Sequence, residues 1–325
     1  MTRLCLYKPS NGFTVVEIAR PGAQLPSSIG PVDPFFATRS QQPVTLEDAR
    51  IAIDGIDKEL LRLLNERAHF VNVIGQIKQR EGLDIYAPER EEKLLRKLVE
   101  LNAAQEGKLP EKSIRAIYRE IMSAALAIEH PLRIAYLGAP GTRTHQVALN
   151  KFGHGVVYVS HVQPSTMFES VASLEADYAL VPMEHAHDGT VYHTTDSLAD
   201  TDLQVCAQVN VEAGTGKLAR HFILGRRASP ATGDDSTLLL LDVPDRVGAL
   251  QDVLAPFVAH QINVRSLENR PAPATTPPKA RFVLEVAGHA TEPAIQAVIS
   301  SLSEGGITAK ILGSYPASAW VESLG

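Results

Sequence analysis

Arg67 is the residue from which the chemistry of this sequence can be read. It stands in a run where Leu46, Ala49, Ile53, Ile56, Leu60, Leu63, Arg67, Phe70, Ile74 and Ile77 follow at steps of three and four, the heptad pattern of a long packed helix. A guanidinium in such a seam cannot lie dry and unpaired, because its desolvation costs roughly several kcal/mol. Either it reaches the bundle surface, or it pairs with Glu66 or Glu91, or an anionic guest faces it. Lys78 comes eleven residues later, almost three turns, so it shares the Arg67 face at about 16 Å. A small dianion could bridge two such long side chains. Arg90 and Glu91 open the next helical stretch and could add a third cation and a carboxylate. Arg50 precedes Arg67 by seventeen residues, roughly 25 Å along the helix and about 100° around it. No single small ligand touches both within one chain, so a functional Arg50 would serve the pocket of a partner chain.

The elements that must hold these groups are legible in outline. Thr45 with Asp48 three residues on makes an approximate capping box, and Gly82 is a stop signal, so the first helix should run about 36 residues, or roughly 50 Å. Two more helices follow, from Glu89 to about Ala104 and from Pro110 to Glu129, each with an apolar stripe. Three helices so unequal in length cannot cover one another within one chain. An intertwined homodimer is the expected solution.

Beyond Pro131 strands alternate with helices: strands at 132–137, 156–160 and 178–182, helices at 144–152 and near 165–174. This implies a parallel α/β sheet. The stretch ASPATGDD at 228–235 reads as a linker. The last region has the order βαββαβ, a small ferredoxin-like domain. Residues 1–43, broken by Pro21, Pro26, Pro31, Pro34 and Pro43, are expected to be a flexible or loosely docked extension. The resulting division is 1–43, 44–130, 131–229 and 234–318.

The 325 residues, 44% of them hydrophobic and 21% charged, fit a multidomain globular protein. A net charge of −6 argues against nucleic acid as a main partner. No apolar run is long enough for a bilayer, and the stretch from Met1 to Ser10 lacks a signal-peptide core. Cys5 and Cys206 make neither a metal spacing nor a disulfide scaffold. His185, His187 and His193 have the spacing of a loop with no cysteine beside them, so no metal or cofactor is expected. The turn GAPG at 138–141 reads as a plain strand-to-helix turn rather than a phosphate loop. These points together lead to the expectation of a cytoplasmic enzyme.

The segment from Arg50 to Glu129 resembles the all-helical chorismate mutases, specifically the module fused to prephenate dehydratase in bacteria. The matching pieces are Arg50, LLNER ending at Arg67, GQIK ending at Lys78, APERE holding Arg90 and Glu91, and REIMSAALAIE ending at Glu129. The resemblance implies a rearrangement of chorismate to prephenate with no covalent intermediate and no metal. Arg50 of a partner, Arg67 and Arg90 would grip the substrate carboxylates, Lys78 and Glu129 would donate to the ether oxygen, and Glu91 would hold the ring hydroxyl. Ala87 departs from relatives that carry a carboxylate there.

Residues 132–225 resemble prephenate dehydratase with losses. YLGAPGTRTHQVA (136–148) and DYALVPMEHAHDG (177–189) follow family patterns, but His185 and Ala186 replace an Asn and a Ser after Glu184. The family's Thr-Arg-Phe stands here as Ala219, Arg220, His221, so the threonine hydroxyl expected in the dehydration step is missing. The strand at 203–211 is followed within a few residues by its returning strand, as if the second lobe of the family were deleted. Little or no dehydratase activity is therefore expected.

The βαββαβ region resembles an ACT domain. Gly248, Ala249 and Leu250 match its Gly-Ala-Leu at a helix start, and Glu268, Asn269, Arg270, Pro271 match its Glu-Ser-Arg-Pro with Asn for Ser. This implies L-phenylalanine as effector. Two rival readings remain at this stage: a bifunctional enzyme retaining both activities, and a non-catalytic amino-acid-binding dimer.

Overall fold

The computed structural model describes residues 4–6, 14–16, 45–83, 86–185, 189–190, 192–212, 218–272, 277–317 and 321–323. Side chains at 4–6, 14–16, 184–193, 195, 218 and 321–323 lie outside this description, and so do the expectations placed on Glu184, His185, Ala186, His187 and His193. The chain divides into two compact units, residues 1–64 and 65–325.

In the first unit, β1 (Leu4–Leu6) and β2 (Thr14–Val16) pair antiparallel. This is regular structure that the proline-broken text of 1–43 did not announce. The boundary between the units falls within α1 (Leu46–Glu81), whose 36 residues match the expected length. Its N-terminus is a reciprocal capping box: the Asp48 amide donates to Thr45 Oγ1 at 3.1 Å, and the Thr45 amide and hydroxyl donate to Asp48 Oδ2 at 3.0 and 2.7 Å. Gly82, at φ +66°, takes the left-handed conformation that ends the helix.

In the second unit, α2 (Pro88–Ala104) and α3 (Glu111–Glu129) follow, started by Pro88 in the first turn and by Pro110 at the N-cap. α1 meets α3 at its C-terminal end. A Cβ added at Gly75 would lie 3.2 Å from Glu129 Cγ, so a larger residue would push the helices apart. Elsewhere the apolar stripe of α1 is bare. Ile53, Leu60 and Phe70 are 56%, 50% and 59% exposed, and Val71 is the buried residue of the helix.

The remaining strands form one continuous sheet in the order β10 (Val264–Arg270), β11 (Lys279–Ala287), β9 (Asp235–Pro244), β12 (Thr308–Pro316), β7 (Gln204–Glu212), β8 (Leu218–Gly225), β5 (Tyr178–His185), β3 (Arg133–Leu137), β4 (Val157–His161), with the short β6 (Gly189–Thr190) paired to β5 and β13 (Val321–Ser323) to β7. Its lobe half contains β3 (Arg133–Leu137), β4 (Val157–His161), β5 (Tyr178–His185), β7 (Gln204–Glu212) and β8 (Leu218–Gly225). α4 (Arg143–Phe152), α5 (Pro164–Ala172) and α6 (Tyr192–Ala199) connect these strands. β3 is parallel to β4 and β5, as expected, whereas β8 runs antiparallel to both β5 and β7. The sheet is therefore mixed. The five residues between β7 and β8 are too few for a crossover, so the chain returns as a hairpin. The short α6 follows a histidine-rich stretch with no clear helical period, and sequence reading missed it.

The C-terminal half contains β9 (Asp235–Pro244), α7 (Ala249–Ala259), β10 (Val264–Arg270), β11 (Lys279–Ala287), α8 (Pro293–Glu304) and β12 (Thr308–Pro316). All four strands are antiparallel, with β9 and β11 central, which is the ferredoxin-like order. α7 and α8 cover one face over a core that includes Leu239, Leu241, Phe257 and Val298. Gly313, at φ +146°, brings β12 against Val205 of β7, where a Cβ would fall 2.4 Å from backbone atoms. That contact fuses the two half-sheets. No described helix is long and apolar enough to cross a membrane.

Candidate active site

Lys78, in the last turn of α1, and Glu129, the last residue of α3, are brought together by the close approach at Gly75. Lys78 Nζ lies 3.3 Å from Glu129 Oε2, with side chains 19% and 8% exposed. Both line a cavity of about 790 Å³, together with Ala87, Glu89, Tyr178 and Arg226. A cation and a carboxyl group held side by side at a hollow can present hydrogen-bond donors to an oxygen on which charge develops.

Arg67 is half-buried on α1, and among the described residues no carboxylate pairs with it. Glu91 is engaged elsewhere, by Lys151. Arg67 does not line the 790 Å³ cavity, and neither do Arg90 and Glu91. Arg90 is exposed on the first turn of α2. Arg50 belongs to the first unit, is exposed, and lies 3.7 Å from Glu47. Of the six residues grouped by sequence, the structure brings Lys78 and Glu129 together at this cavity.

Glu91 has a partner that sequence reasoning missed. Lys151 Nζ, from the last turn of α4, lies 3.1 Å from Glu91 Oε2. It also stands over the ring of Tyr86, 5.9 Å from its centroid. Tyr86 is buried between Phe152 and Tyr178, at centroid distances of 5.2 Å each. Burial drives the Tyr86 hydroxyl far above the ordinary phenol range. Desolvation works against the charge of Lys151, but Tyr86 and the Glu91 carboxylate outweigh it and hold the ammonium above the ordinary lysine range. Sixty residues separate Lys151 from Glu91, and no spacing rule could have linked them.

In the lobe, Ala219 is buried on β8 opposite Val211 of β7. The neighbouring Arg220 donates to Glu285 Oε2 of β11 at 2.5 Å, and its guanidinium stacks 4.9 Å from the Phe222 centroid. Tyr315 packs 5.0 Å from the same ring. Burial first, and then Glu285, push the Tyr315 hydroxyl well up. In the C-terminal half, Gly248 caps α7 in the left-handed conformation, ahead of buried Ala249 and half-exposed Leu250. Glu268, Asn269 and Arg270 end the edge strand β10, just before Pro271. Arg270, its side chain 2% exposed, donates to Asp196 Oδ1 of α6 at 2.6 Å. In this chain Arg270 therefore fastens the lobe to the C-terminal half.

A helical region, an α/β lobe and a ferredoxin-like domain in this order define a three-module protein. Sequence models of three families match in the same order: chorismate mutase type II at 49–130, prephenate dehydratase at 134–220 and ACT domain at 237–304. The chain is 30% identical to the bifunctional chorismate mutase/prephenate dehydratase of Neisseria gonorrhoeae over 352 positions, covering 82% of this chain and 96% of that protein. It is 28% identical to the protein of the same name from Aquifex aeolicus, covering 83% and 98%. Among solved structures, prephenate dehydratase from Streptococcus mutans superposes with a TM-score of 0.51 at 27% identity, over 59% of this chain and 99% of that one. A prephenate dehydratase from Arthrobacter aurescens in complex with L-Phe shares the fold, with a TM-score of 0.50 at 18% identity over 57% of this chain and 90% of that one. The chain belongs to the bifunctional chorismate mutase/prephenate dehydratase family.

Proposed function

We propose that this protein is a cytoplasmic, homodimeric chorismate mutase on the route to phenylalanine. In this reading residues 44–130 are the catalytic module, 131–229 a dehydratase lobe that no longer catalyses, and 234–318 an ACT domain that senses L-phenylalanine. The observation that carries it is the Lys78–Glu129 pair at 3.3 Å beside a cavity, with Lys78 on the helix that also bears Arg67.

The reaction asks the protein for two things. Arg67, Arg90 and a partner's Arg50 grip two carboxylates and select the compact conformer, which lowers the entropic part of the barrier. Lys78 and Glu129 donate to the ether oxygen, where negative charge grows as the C–O bond breaks, so they bind the transition state more tightly than the substrate. Glu91 holds the ring hydroxyl. None of this needs a cofactor. The bare apolar stripe of α1 supports the homodimer, since so many exposed Ile, Leu and Phe side chains on one helix call for a second copy. The cationic Arg67 and Lys78 on that helix argue against a module that only dimerises.

Three observations favour loss of the dehydratase reaction. β7 and β8 join as a hairpin where a second lobe would be inserted. The alignment to the Neisseria protein is 352 positions long against 325 residues here, so it carries gaps in this chain. Arg220, beside the missing threonine, is engaged by Glu285 of the C-terminal half. An acid near a leaving hydroxyl and a water-poor cleft are what dehydration requires. The L-Phe bound by the Arthrobacter dehydratase supports phenylalanine as the effector here.

Two assays on the purified protein test the reading: loss of chorismate absorbance, and phenylpyruvate formed from added prephenate. The first signal without the second is expected. Both signals would establish a bifunctional enzyme, and neither would leave an amino-acid-binding dimer.

A further inference from the structure

We propose that Lys151, a residue of the dehydratase-type lobe, is a positioning residue of the mutase site, holding the Glu91 carboxylate in place to receive the ring hydroxyl. This rests on the mutase reading above and extends it to a residue outside the mutase module.

Glu91 sits in the first turn of α2, where its side chain alone would be free to swing into water. Instead its carboxylate is 17% exposed and meets Lys151 Nζ at 3.1 Å. Lys151 is itself held. Its ammonium stands over the Tyr86 ring, which is clamped between Phe152 and Tyr178. Its backbone belongs to a seam with α3 that tolerates little movement. Arg119 of α3 donates to the Asn150 carbonyl at 2.8 Å, and the Gly155 amide donates to Ser123 Oγ at 2.8 Å. A Cβ at Gly153 or Gly155 would fall 2.7 or 2.6 Å from Ser123 atoms, so the lobe backbone lies directly on the helix. On the other side of Glu91, Arg115 of α3 holds the adjacent Glu92 at 3.2 Å. The Glu91 carboxylate is thus fixed from the lobe, and the next residue of α2, Glu92, from α3.

A surface ion pair between mobile side chains contributes little. This pair is mostly buried and rigidly backed, and its value lies in orientation rather than in stability. It also gives the lobe a task after the loss of its own reaction, because removing α4 would leave Glu91 without its partner.

The test is steady-state mutase kinetics on full-length Lys151→Met, Lys151→Arg, Glu91→Ala and the Glu91→Ala/Lys151→Met double variant, with thermal melts on each. A contact to a hydroxyl that does not react contributes alike to the ground and transition states, so its loss raises KM and spares kcat. Lys151→Met should raise the chorismate KM about tenfold with kcat within about threefold of the parent, and Lys151→Arg should restore most of the loss. The double variant should be no worse than Glu91→Ala alone, as for two residues acting through one contact. A parent-like KM in Lys151→Met, or losses that add in the double variant, overturns the proposal. If Lys151→Met does not fold, a Lys151→Arg variant that folds yet raises the chorismate KM about tenfold also overturns it. An inactive parent protein would instead overturn the mutase reading, and this inference with it.

Discussion

Lys78 Nζ and Glu129 Oε2 stand 3.3 Å apart across fifty-one residues of chain, closing the end of α1 onto the end of α3. In that arrangement the carboxylate accepts from the ammonium. To help a breaking C–O bond a group beside it must donate, and a glutamine amide both donates and accepts. Glu129→Gln should therefore keep the hydrogen bond to Lys78 and most of the parent's kcat, whereas Glu129→Leu, which can do neither, should lower kcat by about 10²–10³. Lys78→Met, which removes the neighbouring donor, should cost a similar factor. Steady-state mutase kinetics on the three variants check this, and a Glu129→Leu enzyme with the parent's kcat would remove Glu129 from the mechanism.

Arg50 and Arg67 lie on one helix but too far apart to serve one ligand, so the proposed site takes Arg50 from a second copy. This makes a quantitative expectation. Arg50→Ala and Arg67→Ala homodimers should each be nearly inactive. In a heterodimer of the two, one site carries both defects and the other carries neither. After co-refolding an equal mixture, half of the dimers are mixed and half of their sites intact, so about a quarter of the parent activity should return. No recovery in a mixture that light scattering shows to be dimeric would mean that Arg50 acts within its own chain or not at all.

The course of the backbone was largely open to sequence reading. The heptad of α1, its Thr45–Asp48 box and its Gly82 stop specify a helix whose observed length is the expected one, because each signal is local and acts within a turn. The βαββαβ order of the C-terminal half is legible for the same reason. Long-range pairing is another matter. The Glu91–Lys151 and Arg270–Asp196 pairs join residues 60 and 74 positions apart, and no periodicity encodes which charge meets which. The antiparallel return of β8 follows from a short connection, which the reading noticed as a missing lobe without drawing its effect on strand direction. α6 was missed because eight residues with a weak apolar face give a 3.6-residue period too little length to register.

Asp242 and Arg281 form a forked pair across the β9–β11 ladder, with Arg281 Nε 2.7 Å from Oδ1 and its terminal nitrogen 2.9 Å from Oδ2. The guanidinium hydrogen bonds, against some desolvation and aided by the charges of Arg281 and Lys279, hold the Asp242 carboxyl below its ordinary value. A carboxyl whose folded value is depressed stabilises the protein fully above its unfolded value, near 4. That contribution is lost as pH falls through the folded value. With about a fifth of each side chain exposed, solvent screens part of it, leaving about 1 kcal/mol. Asp242→Asn should therefore melt a few degrees below the parent at pH 7, as about 1 kcal/mol predicts for chains of this size. The gap should shrink as the buffer is taken below about pH 4 and close once Asp242 is protonated in both states. Thermal melts of both proteins from pH 7 to pH 3 check this. A gap that keeps its full size throughout that range would mean that the substitution acts through packing of the β9–β11 ladder and not through the charge of Asp242.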